Sequence, residues 1–132
     1  MIRKLLGITI AAALLAIAPT VWSQADKAGK GNTITGILID KNCSNRALKD
    51  KDPFANASKH SRTCALMGGC ASSGYGVVTK EGMFLKFDAQ GDEQAKALLE
   101  KSEKKDNLTV TVEGTVKGDL LEVKTVKEQP AE

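Results

Sequence analysis

Hydrophobic and polar positions alternate along two stretches of the chain, as in strands that turn one face to a core. The apolar positions of these stretches are Met83, Leu85 and Phe87, and Leu108, Val110 and Val112. Three other segments, 32–40, 74–79 and 120–126, are rich in β-branched or apolar residues and are bounded by turn residues. The pattern predicts five strands, with turns at 80–82 and 117–119 and a bulge at Gly114 in the fourth strand.

Two segments between the strands have helical signals. Asp92 can cap a helix that runs to about Ser102, because apolar residues form a narrow stripe there against a Glu- and Lys-rich face. The pair Asp52-Pro53 supplies an N-cap and a first-turn proline, and Gly68-Gly69 supplies a stop, so we expect a second helix over 53–67.

This order of elements predicts a mainly β fold: a small five-stranded antiparallel OB-like barrel with two short helices. An open five-stranded sheet with helices on one face is the alternative.

The N-terminus has the features of a secretory signal. Arg3 and Lys4 precede an uncharged apolar run over 5–18, which is too short to span a bilayer as a helix but matches a signal h-region. We expect cleavage after Ala25, with cleavage after Ser23 and an uncleaved anchor as alternatives. The predicted organisation is a signal peptide at 1–25, a flexible lead-in at 26–32, one OB-like domain at 33–126 and a flexible tail at 127–132. The predicted location is periplasmic or secreted.

Composition fits one packed domain and argues against some partners. The chain has 132 residues, of which 42% are hydrophobic and 27% charged. Once Arg3 and Lys4 are removed with the signal, Lys and Arg exceed Asp and Glu by only one. Nucleic-acid binding is therefore not expected. Membrane association is not expected either, unless the N-terminal segment stays uncleaved as an anchor.

All three cysteines and the only histidine lie within one short segment: Cys43, His60, Cys64 and Cys70. If 53–67 is one helix, His60 and Cys64 share a face and Met67 continues it. Cys43 follows the first strand, and Cys70 follows the glycine stop, so both can approach this face.

The favoured interpretation is a disulfide, because exported proteins form them. Any pairing among Cys43, Cys64 and Cys70 is open, and the third thiol could link a dimer. A bridge from Cys43 would stabilise the fold by about 3 kcal/mol in the chain-entropy model.

Two other interpretations use the same residues chemically. Cys43, His60, Cys64 and Cys70, with Met67 as a further soft ligand, could bind copper or zinc. Alternatively, His60 could activate Cys64 as a reactive thiol. The simplest interpretation of His60 is a half-buried residue that bonds a carbonyl, with Met67 and Phe54 as core packing.

The chain resembles a group of small secreted bacterial domains of uncharacterised function. The matching elements are Gly36-x-Leu38-x-Asp40-x-x-Cys43, His60-x-x-x-Cys64, Cys70 followed by Gly74, and Gly114-x-Val116-x-Gly118-Asp119 leading to Val123. They cover about residues 34 to 126. The resemblance implies an OB-like barrel, an exported location and importance of the Cys/His set, but no activity.

We therefore expect a small exported binding or accessory domain with a disulfide-stapled Cys/His cluster, without catalysis or a cofactor, whose partner is a small ligand or an envelope protein. The alternative is a periplasmic copper- or zinc-binding protein.

Overall fold

A computed structural model describes residues 31–130 of the chain. The predicted signal peptide, its cleavage site and nearly all of the lead-in fall outside these residues. The elements, in order, are β1 Asn32–Asp40, α1 Lys41–Ala47, α2 Pro53–Ser58, α3 Arg62–Leu66, α4 Gly68–Ala71, β2 Tyr75–Thr79, β3 Phe84–Phe87, α5 Ala89–Lys101, β4 Thr109–Lys117 and β5 Leu120–Glu128.

The five predicted strands are confirmed and form one mixed sheet. Each strand pairs with two others in the order β1-β2-β3-β5-β4, and β4 pairs back to β1, so the sheet closes on itself. The prediction of a purely antiparallel sheet is wrong at one junction, where β3 and β5 run parallel through Lys86 beside Leu120 and Phe87 beside Leu121. After α5 the chain crosses to β4 beside β1, so β5 returns in the same direction as β3.

The predicted bulge at Gly114 is confirmed. The register between β4 and β5 shifts between Glu113 and Gly114. A Cβ atom at Gly114 would lie 2.2 Å from the Glu122 carbonyl oxygen, so this close approach requires glycine. Strand β5 extends to Glu128, two residues into the segment that we predicted to be a tail.

The prediction of only two helices is wrong. The single helix expected over 53–67 is interrupted after Ser58, because Ser61 adopts an extended conformation and caps a new helix. The glycine pair expected to stop it instead begins α4 at Gly68. Helix α5 begins four residues earlier than expected, because Asp88 rather than Asp92 is its N-cap.

Helix α1 was not predicted, and it starts directly at the end of β1. The Asp40 side chain caps it by accepting the Cys43 backbone N–H. None of the helices within residues 31–130 combines the length and the apolar character that a membrane crossing requires.

Strand β1 separates two hydrophobic clusters and therefore has buried side chains on both faces, which explains its continuous Ile/Leu run. On one face Leu38 packs in the larger core with α5 and the other strands. On the other face Ile37 and Ile39 pack in a smaller core against Ala47 of α1 and Ala57 of α2. Helices α1 and α2 thus lie over one side of the sheet, whereas α3 and α4 pack against the larger core. The segment from α1 to α4 contains all three cysteines.

Candidate metal centre

The Cys43, Cys64 and Cys70 side chains converge although they belong to three different helices. Their sulfur atoms all lie within 4.8 Å of one another. The three thiols are free, and each residue is partly buried. The structure thus brings together every residue that we considered for a disulfide, and the pairing itself stays a prediction.

Two of the cysteines are placed by the same local device. Each is the third residue after a helix N-cap, and its backbone N–H donates to the cap side chain: Cys43 to Asp40 over 2.9 Å and Cys64 to Ser61 over 3.1 Å. A cap side chain satisfies a backbone donor that the helix itself leaves free. The short polar residue three positions before each cysteine therefore fixes where that helix begins and how its cysteine enters the cluster.

Cys70 is placed by bonds between α4 and the start of α1. The Asn42 side-chain amide donates to the Gly69 carbonyl over 3.1 Å, and the Ser73 hydroxyl donates to the Cys70 carbonyl over 2.7 Å. The Tyr75 hydroxyl, which is buried, donates to the Ala65 carbonyl over 2.9 Å and joins α3 to β2. Because β2 pairs with the end of β1, with Tyr75 opposite Asp40, all three cysteine-bearing helices are attached to one strand junction.

Asp40 is a buried carboxylate that joins both parts of the site. It is fully inaccessible to solvent, and its Oδ2 lies 2.8 Å from His60 Nε2 while its Oδ1 accepts the Cys43 N–H. Because a carboxylate only accepts, His60 Nε2 carries a hydrogen and donates it to Asp40. A carboxylate bonded to one ring nitrogen commonly orients a metal-binding histidine.

His60 is therefore not where the sequence placed it. It lies between α2 and α3, so the expected shared helix face with Cys64 is wrong, and its partner is a carboxylate rather than a backbone carbonyl. It belongs with Asp40 and Cys43 to a second group of ligand atoms within 4.8 Å of one another. The four predicted residues thus fall into two overlapping groups that share Cys43, and the group of His60 also contains Asp40.

Met67 does not pack in the core, contrary to the simplest interpretation. It lies between α3 and α4 with 60% of its surface exposed. Phe54 packs as expected, against the smaller core.

The thiols are in surroundings that favour the neutral form. Burial, then the Asp40 charge and then the neighbouring thiols, raise the pKa of Cys43 to about 12. Burial and the Asp40 charge also raise the pKa of Cys70. A thiol activated for nucleophilic attack has a lowered pKa, so these two cysteines do not have the properties of reactive thiols. A metal ion bound beside these sulfurs would favour their thiolate form.

A small cavity of about 210 Å³ opens beside the cluster. Its lining comprises two cysteines, the histidine, two cationic side chains and two further residues: Cys43, Cys64, His60, Arg46, Lys59, Ile39 and Asn56. Larger concavities, of about 660 and 710 Å³, lie elsewhere on the surface and include no cysteine or histidine.

Asp40 is the site residue that sequence reasoning missed. It appeared only as a member of the resembling motif, although the spacing Asp40-x-x-Cys43 is itself that of an N-cap and its bonded N–H. Its pairing with His60, twenty positions away, has no local signal.

The chain matches no protein-family model, no curated protein and no solved structure.

Proposed function

We propose that the protein binds one thiophilic transition-metal ion, Cu(I), through the thiolates of Cys43, Cys64 and Cys70. The observation that carries the proposal is the convergence of the three sulfur atoms within 4.8 Å. Three sulfurs bound to one metal at about 2.3 Å lie about 4 Å apart, so the required movements are small.

The donor set favours copper over zinc. Thiolates bind both Cu(I) and Zn²⁺, but structural Zn²⁺ sites have four ligands in a tetrahedron, whereas three sulfurs converge here. His60 groups with Cys43 but, at the same distance limit, not with Cys64 or Cys70. A zinc site would need His60 to move toward those two sulfurs, while a three-sulfur copper site would not.

The scaffold that we propose is an OB-like barrel, as inferred from the closed strand order and from α5 between β3 and β4. With the predicted signal peptide, the protein would act in the periplasm or outside the cell. The junction of β1 and β2, to which the three cysteine-bearing helices are attached, would hold the cysteines in place, and this favours a preformed site.

A disulfide-stapled accessory domain is the competing proposal. Each pair of cysteines is close enough that a modest rearrangement would permit a bond, which needs sulfurs at about 2.05 Å. A staple would use two sulfurs, however, and would leave the third sulfur without a role.

Thiol counting together with metal analysis distinguishes the two proposals. We would purify the protein from the exported fraction without reductant or chelator, measure its copper and zinc, and titrate thiols in denaturant. We expect three thiols and one equivalent of copper. A single thiol with no bound metal would establish the staple and refute the metal site. Serine variants of each cysteine show which thiols are counted.

A further inference from the structure

The cavity beside the cluster combines two cysteines with two positive charges. Cys43 and Cys64 form part of its wall, and Arg46 and Lys59 are exposed side chains that also line it. Within residues 31–130, neither cation has a carboxylate within ion-pair distance. The charges are therefore available to a ligand.

Carboxylates near the cavity are engaged with other groups. Asp40 is bonded to His60, and Asp50 accepts the Asn56 side-chain N–H over 2.9 Å. Asp50 is fully exposed and is also attracted by the charge of Lys59, but water screens that attraction. None of the described residues that line the cavity is acidic.

We infer that this cavity receives the metal as a complex with a small anionic thiol, whose carboxylates contact Arg46 and Lys59 while its metal reaches Cys43 and Cys64. The inference rests on the proposed copper site. Thiolates are ligands that select Cu(I), so a thiol is the chemical class of carrier expected for this ion. A guanidinium group binds carboxylates with two parallel hydrogen bonds, which gives Arg46 the geometry for this contact.

The size of the cavity limits the carrier. Its volume of about 210 Å³ is that of about seven water molecules in the liquid. A mercapto-acid fits, whereas a folded partner would have to contact the rim alone.

The transfer is an exchange of ligands without oxidation or reduction. Bonds from Cu(I) to carrier sulfur break, and bonds from Cu(I) to cysteine sulfur form. Each departing carrier thiolate takes up one cysteine proton, and any cysteine proton in excess of the carrier thiolates passes to water. Copper stays Cu(I) throughout. The loaded trithiolate site has a net negative charge, which repels the released anionic carrier.

The test compares two carriers on the reduced protein without oxygen. Cu(I) is supplied by racemic mercaptosuccinate, a dicarboxylate thiol, or by 2-mercaptoethanol, an uncharged thiol. Uptake is followed by near-ultraviolet circular dichroism of the Cu(I)–thiolate bands in a stopped-flow instrument. Neither carrier is optically active, so the signal reports only copper bound by the protein.

We expect the double variant Arg46→Gln/Lys59→Gln to slow uptake from mercaptosuccinate by about tenfold, since local charges raise association rates by this order. Uptake from 2-mercaptoethanol should change less than about twofold. The matched control is Lys49→Gln/Lys51→Gln, which removes the same charge from exposed residues outside the cavity wall.

Each other outcome has a definite meaning. Equal slowing with both carriers would overturn the inference and leave the copper site intact, because the cations would then act on the loaded cluster. An equal effect of the control variant would overturn it as well, because overall charge would be responsible. If the wild-type protein gives no signal with either carrier, the proposed function itself fails.

Discussion

Replacement of Asp40 should destabilise the protein more than loss of a helix cap can explain. The carboxylate is fully buried, bonds His60 over 2.8 Å and caps α1 through the Cys43 N–H over 2.9 Å. Asp40→Ala removes the cap, worth about 1 kcal/mol, and a hydrogen bond to a charged group, worth about 2 kcal/mol. We expect the free energy of unfolding to fall by about 3 kcal/mol, the sum of these two contributions.

Asp40→Asn separates the two contributions. Asparagine is as good an N-cap as aspartate, so the bond to the Cys43 N–H can remain. A neutral amide replaces the charged acceptor of the His60 hydrogen bond, so we expect the free energy of unfolding to fall by about 1–2 kcal/mol. Asp52→Ala is the control for a cap alone, because Asp52 is exposed and, within residues 31–130, its side chain accepts only the Ala55 N–H. It should cost about 1 kcal/mol.

Urea unfolding of the reduced, metal-free variants at neutral pH measures these differences, provided that the slope with denaturant stays constant. The reasoning is refuted if Asp40→Ala costs no more than Asp52→Ala. It also fails if Asp40→Asn is as damaging as Asp40→Ala, because the cap would then not be retained.

Two other predictions follow from close approaches and from burial in the sheet. Gly76→Ala should destabilise the fold by about 3 kcal/mol or more, because a Cβ atom there would lie 2.3 Å from the Leu85 carbonyl oxygen. A Cβ atom at Gly68 would meet open space, so Gly68→Ala should change stability by less than about 1 kcal/mol. Thermal unfolding measures both variants, and similar losses in the two would contradict this prediction. Burial raises the pKa of Asp92 above 3.8, so its contribution to stability is present below that pH and is lost as the pH rises through the raised pKa. Asp92→Asn keeps an acceptor for the Tyr75 N–H and should flatten this part of the stability-against-pH curve; an unchanged slope would show that Asp92 is not responsible.

The strands could be predicted because their signals are local. Alternation identified the buried Val110 and Val112, and Gly114 marked the bulge. The outcome at Met83 was different: it continues the alternation of β3 but is 55% exposed, because it precedes the paired strand at the hairpin. Strand ends depend on contacts that the pattern does not contain.

The helices of the long connection could not be placed, because their limits depend on competing caps. Asp52-Pro53 correctly marked the start of α2. Ser61 caps α3 in a segment where helical spacing alone would extend α2. Helical propensity is weak, so a cap such as Ser61 can end one helix and begin the next.

The site was predicted as a set of residues but not as a geometry. The clustering of Cys43, Cys64 and Cys70 in the sequence pointed to a shared patch, and the structure brings them together. The division into a three-sulfur group and an Asp40–Cys43–His60 group depends on the pairing of β1 with β2, which no short spacing reveals.

The central claim is that three cysteine sulfurs bind one Cu(I) ion, and X-ray absorption at the copper edge tests it most directly. The fully reduced protein would be titrated with Cu(I) without oxygen and measured beside Cys43→Ser, Cys64→Ser, Cys70→Ser and His60→Ala. The account predicts one equivalent of copper with three sulfur neighbours at about 2.3 Å, one fewer sulfur in each serine variant, and all three retained in His60→Ala. A copper environment with nitrogen in place of a sulfur, or a sulfur count that one of the serine variants leaves unchanged, would contradict it.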